Sequence, residues 1–239
     1  MTRLIWSIAL LAAALSAAPA LAAATDDGTK ACLTDPNPDN RIAGCTKIIS
    51  ANPKQEPNLA VIYSARGNAY YQKGQLDKSL QDFNAAVKLD PKSSVALSNR
   101  GTVHLSMGQT DQAISDYTAA LRLNPQDANT YNSRGLTYLN LGRTDQALQD
   151  FNNAVRVAPN ADYPHMSRGW AYFRQKKYDS ALGDFDAAVK LNPGNPEALY
   201  MRSLTYRQQG KTAEADQDLA AARKIDPKID DRMKSLGIS

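Results

Sequence analysis

Prolines at positions 91, 125, 159, 193 and 227 fall 34 residues apart, and Gly67, Gly101, Gly135 and Gly169 keep the same step, with Ser203 at the fifth place. A spacing that does not drift over five copies leaves a chain few options. One small unit is stacked on itself, and each copy covers a face that its neighbour cannot bury alone. The copies run 60–93, 94–127, 128–161, 162–195 and 196–229. Numbered from one, every copy has an arginine at 7 beside the small residue at 8, and an aspartate at 23 beside a large residue at 24. The pairs are Arg66 and Asp82, Arg100 and Asp116, Arg134 and Asp150, Arg168 and Asp184, and Arg202 and Asp218. A catalytic pair is needed once, so a pair repeated in every copy is read as a structural ion pair.

Within a copy the apolar residues keep helical spacing. Tyr63, Gly67 and Tyr70 form one stripe, Gly74 interrupts, and Leu80, Phe83 and Val87 form a second. Each copy is therefore two helices and a turn. Gly74, Gly108, Gly142 and Gly210 mark the turns, a proline follows the second helix, and Ser93, Asp127 and Asn195 are suited to cap the first.

These residues resemble the tetratricopeptide repeat, a helix-turn-helix unit of 34 residues. The small residue at 8 matches the glycines, and the aromatic at 11 matches Tyr70, Tyr138, Tyr172 and Tyr206. Position 20 holds Ser79, Ala113, Ala147, Ala181 and Ala215, position 27 is alanine throughout, and position 32 is the proline. Three departures stand out: arginine at 7 where the family often has leucine, His104 at 11, and Lys176 in place of the turn glycine of the fourth copy. The resemblance implies an all-α fold, a right-handed superhelical solenoid of antiparallel helix pairs. The small residues at 8, 20 and 27 are expected to let the two helices approach closely while the aromatics fill the gaps.

The two ends read differently. Met1 to Arg3 is basic, Leu4 to Ala18 is apolar, and Ala18 to Ala23 offers small residues two apart, so residues 1–24 read as a secretory signal peptide rather than an anchor. The apolar run is shorter than the roughly 20 residues of a membrane span, and Pro19 breaks its end. The mature chain is expected in the periplasm or outside the cell, with no stable membrane insertion. Two cysteines, Cys32 and Cys45, then point to a disulfide, against two free thiols or half of a metal site; neither His104 nor His165 is near in sequence and no CxxC spacing occurs. Residues 25–59 are read as a degenerate half-repeat, with Ile42, Cys45 and Ile49 where Leu80, Phe83 and Val87 stand, and residues 230–239 as a capping helix with its apolar stripe at Ile229, Met233 and Leu236.

No serine or cysteine lies in a nucleophile motif and no glycine-rich phosphate loop follows a strand, so neither a catalytic site nor a cofactor or metal site is expected. His104 and His165 take places that are aromatic or leucine in other copies and are read as packed. The chain carries 28 basic and 24 acidic residues and has a pI near 9.0. The basic residues are spread among the copies without interleaved aromatics, so nucleic acid is not the expected partner. An RNA-binding helical-repeat protein, or an accessory subunit of an envelope enzyme complex, is the alternative. What the resemblance implies is a protein-interaction scaffold of the cell envelope that takes a peptide or protein on the concave face lined by positions 2, 5, 9 and 12. Asn68, Asn132, Met166, Trp170, Phe173 and Tyr200 fall at such positions and are the candidate partner-binding residues. A carboxylate clamp of lysine, arginine and asparagine at 5 and 9 is not present; Asn68 alone matches it.

Overall fold

The computed structural model describes residues 27–51 and 58–238, so the leader of residues 1–24 lies outside the described residues. Among the described residues there are thirteen helices and no strand, and no helix is long and apolar enough to cross a membrane. They divide into two compact units on either side of the step from Pro125 to Gln126.

In the first unit, α1 (Asp27–Thr34) and α2 (Pro38–Ala51) form a short pair that leads into α3 (Leu59–Gln72) and α4 (Leu76–Leu89), then α5 (Ser94–Ser106) and α6 (Thr110–Leu123). Each helix packs on the next, and α3 also touches α1 and α5. Cys32 and Cys45 are joined by a disulfide that ties α1 to α2. The two helices are so close at Gly44 that a Cβ there would lie 2.8 Å from the Cys32 backbone nitrogen.

The second unit holds α7 (Ala128–Asn140), α8 (Thr144–Val157), α9 (Asp162–Arg174), α10 (Tyr178–Leu191), α11 (Pro196–Gln208), α12 (Thr212–Ile225) and α13 (Ile229–Ser235). Its core runs through Phe151, Phe185, Met201 and Ile229 and closes on α13 through Met233 and Ile238. The capping helix is shorter than expected. It stops at Ser235 because Gly237 turns the chain with φ 74°, which folds Ile238, 3% exposed, back onto the core.

Local chemistry accounts for the ends of these helices. Ser93, Asp127 and Asn195 each accept the backbone N–H three residues on, filling donors that the first turn leaves open. The turn between paired helices is a Schellman motif in every full copy: in the first, Gly74 N–H donates to Tyr71 O and Gln75 N–H to Tyr70 O. Its left-handed residue is glycine in four copies and Lys176, φ 59°, in the fourth.

Position 8 is small for the expected reason and for a second one. It meets position 20, where Ser79 Oγ donates to Gly67 O at 2.8 Å, and lies still closer to the ring at 24: a Cβ on Gly135 would lie 2.6 Å from Phe151 Cε1, and one on Gly101 2.9 Å from Tyr117 Cε1. The fifth copy has Ser203 at 8 and Leu219 at 24, a larger residue opposite a smaller one. The rings of Phe83, Tyr117, Phe151 and Phe185 are fully buried. Burial pushes the Tyr117 phenol well above the ordinary tyrosine range, and its hydroxyl shares a hydrogen bond with Thr102.

Candidate functional site

The arginine at 7 and the aspartate at 23 come from the two helices of one pair, and they meet in all five copies. In the first, Arg66 Nε and Nη2 donate to Asp82 Oδ2 and Oδ1, each at 2.8 Å. The same two-pronged arrangement joins Arg100 to Asp116, Arg134 to Asp150, Arg168 to Asp184 and Arg202 to Asp218. The carboxylates are buried, and the pair holds each guanidinium above its usual range, most of all at Arg202, which donates to both Asp218 and Asp186. A planar fork that matches a carboxylate needs arginine, which explains the departure from leucine.

A further contact was not foreseen. Nη1 of Arg66 donates to Thr46, that of Arg100 to Asn84, that of Arg168 to Asn152 and that of Arg202 to Asp186. Each acceptor is at position 25 of the preceding copy, and Thr46 holds that place in the half-repeat. The signal was available, since a polar residue follows the aromatic or cysteine at 24 each time. The guanidinium also lies over a tyrosine ring at 11 in three copies: Arg66 over Tyr70, Arg134 over Tyr138 and Arg202 over Tyr206. His165 joins this network, its Nδ1 facing Asp184 and its Nε2 facing the Pro159 carbonyl, and His104 Nδ1 meets the Gln109 side-chain oxygen. His104 is therefore engaged within its own helix pair, and His165 with Asp184 of its pair and with the end of the copy before.

The six candidate partner-binding residues are divided between the two units. Asn68 is half-buried on α3, in the first unit, and the other five lie on α7, α9 and α11 in the second. Three of the candidates are largely covered: Met166, Trp170 and Tyr200 are only 6%, 7% and 8% exposed. Trp170 and Tyr200 lie in the apolar cluster with Leu139, Leu199 and Met201, and Met166 lies with Ala188 and Ala198. Neighbouring helices therefore cover most of the apolar surface of these three side chains. Phe173 is half-buried, stacked on Trp170 and edge-on to Tyr178. Asn132, on α7, is distinct in another way: its Oδ1 is buried and has no hydrogen-bond partner among the described residues. In the first unit the most open groove-facing position is Val95, 51% exposed.

On α9 and α10 a cleft of about 420 Å³ opens over His165, Arg168, Tyr172, Ser180, Gly183, Asp184 and Ala187. It uses positions 4, 7 and 11 of the first helix, not the groove-facing ones.

Comparison with known proteins agrees with the geometry. Family models described as TPR repeat match residues 67–108 and 101–142, and models described as tetratricopeptide repeat match 128–161 and 166–228. No curated protein matches the chain. Among solved structures, a tetratricopeptide repeat protein from Parabacteroides merdae is 21% identical with a TM-score of 0.65, covering 83% of this chain and 82% of that one. YrrB, described as a TPR protein with an unusual peptide-binding site, is 24% identical with a TM-score of 0.59, covering 81% and 96%. MamA is 19% identical with a TM-score of 0.61, covering 69% and 96%. At these identities the likeness is one of fold.

Proposed function

Because the chain belongs to the tetratricopeptide repeat family, we propose that it is a non-enzymatic interaction scaffold of the cell envelope that receives an extended peptide segment of a protein partner along its first helices. The observation that carries this reading is the orphaned Oδ1 of Asn132 at a groove-facing position. A buried acceptor without a donor costs on the order of 1–3 kcal/mol, and a peptide backbone N–H laid along α7 would supply the donor. The fold favours a protein or peptide partner, and the peptide-binding description of YrrB is in keeping with it. The envelope address rests on the apolar leader and on the Cys32–Cys45 disulfide, a bond that persists in oxidising compartments.

The experiment is a photo-crosslinker placed at exposed Asn129, one turn before Asn132, in cells, followed by mass spectrometry of the captured material. One defined protein should be captured, and Asn132→Leu should reduce its capture at least fivefold while the helical circular dichroism and melting temperature stay close to wild type. Equal capture by the variant, or capture of nothing beyond background, would overturn the reading.

A further inference from the structure

Two copies cover the tyrosine at position 11 with an ammonium group of the chain itself, and the fourth copy does not. Lys78 Nζ lies 5.4 Å from the centre of the Tyr70 ring, and Lys211 Nζ lies 5.7 Å from that of Tyr206. Lys78 stands at position 19 of its copy. Lys211 stands at position 16, where the fourth copy keeps Lys177, but the fourth copy has Ser180 at 19 and Gly183 at 22, where the first has Lys78 and Gln81. The short residues at 19 and 22 line the cleft of about 420 Å³ that reaches Tyr172.

We propose that this cleft is a receptor for the lysine or arginine side chain of a partner protein, which takes over Tyr172 the place that Lys78 takes over Tyr70. The electrostatics of the other copies show that such a guest is compatible with the resident arginine. Tyr70 carries Arg66 at 5.8 Å together with Lys78, and Tyr206 carries Arg202 at 5.8 Å together with Lys211. In each case the aspartate at 23 balances the guanidinium, as Asp184 does for Arg168. An anion is the poorer guest. Arg168 commits Nε and Nη2 to Asp184 and Nη1 to Asn152, and both nitrogens of His165 already face oxygens. What the cleft offers is a ring face and the Ser180 hydroxyl, and a ring face attracts a cation through its quadrupole. The site is separate from the peptide groove proposed above.

The test is a titration of the full chain, with labelled tyrosine rings observed by NMR and the Tyr172 signal assigned from Tyr172→Phe. The probes are N-acetyl-lysine amide and N-acetyl-arginine amide, with N-acetyl-norleucine amide as the uncharged control. The Tyr172 ring should shift saturably with both cationic probes and not with norleucine, and Ser180→Lys, which restores a resident ammonium, should weaken binding about fivefold. Lys78 at the matching position shows that the copy accommodates that side chain. No shift at Tyr172, an equal shift with norleucine, or unchanged binding in Ser180→Lys in a protein of normal helicity would overturn the proposal. The net charge of +4 gives the chain no general attraction for cations, so a saturable shift reports the cleft.

Discussion

At the scale of the residue, the arginine at 7 shows how one side chain can be both ordinary in appearance and hard to replace. Arg134 is 16% exposed at its side chain and faces Asp150, which is 4% exposed. Arg134→Leu would strand a carboxylate in a place that water barely reaches, at about 3 kcal/mol. Arg122, by contrast, is exposed at the end of α6, where a substitution should move stability by less than about 0.5 kcal/mol. Thermal unfolding followed at the helical signal should therefore show Arg134→Leu melting several degrees below Arg122→Leu. Equal melting temperatures would mean that the five pairs are incidental. This part was legible because charge and period were locked together: a residue type that recurs at the same two places in every copy has the same partner in every copy. The cleft over Tyr172 was not legible in that way, since it is made by side chains that are short. It emerges only when position 19 of one copy is compared with position 19 of another in space.

At the scale of the element, the turn between paired helices separates what the backbone requires from what the sequence supplies. Gly74, Gly108, Gly142 and Gly210 take φ between 68° and 77° without strain, whereas Lys176 is held at 59° by the hydrogen bonds that Lys176 and Lys177 donate to Phe173 and Tyr172. An L-residue in this region costs about 1–2 kcal/mol, partly offset by the greater freedom of glycine in the unfolded chain. Lys176→Gly should thus raise stability by about 0.5–1 kcal/mol, read as a higher denaturant midpoint with an unchanged slope. A lower midpoint would show that the lysine side chain contributes more than its backbone loses. Helices, turns and caps were readable here because each depends on a few neighbouring residues. The openness of positions 5 and 9 was not, because whether Met166 or Trp170 is covered depends on residues of the partner helix and of the next pair. Leu199, Tyr200 and Met201 are large enough to cover Trp170, and Ala188 and Ala198 close on Met166.

At the scale of the whole molecule, an array of this kind is held together by neighbours, and its weakest copy sets where it begins to open. The half-repeat at the amino end has an eight-residue first helix and is tied by the Cys32–Cys45 bridge. A closed loop of that size is worth about 3 kcal/mol in the chain-entropy account. Reduction should therefore speed hydrogen exchange across α1 and α2 by at least tenfold while amides of α9 to α12 keep their protection. Uniform loss of protection along the chain would show instead that the molecule opens as one body.

The third nitrogen of the arginine, set on position 25 of the copy before, gives the molecule a grammar. In the four places where the link is seen, the donor always belongs to the later copy and the acceptor to the earlier one. In those four places the later copy is a reader and the earlier one its text, and the two roles fall on different helices. Copies are for that reason not interchangeable: the fifth copy has Ala220 at position 25 and no side-chain acceptor there, whereas a copy with the arginine at 7 but no predecessor would leave a guanidinium with nothing to read. The half-repeat exists, in these terms, to be the sentence before the first, and Thr46 is the word that Arg66 needs.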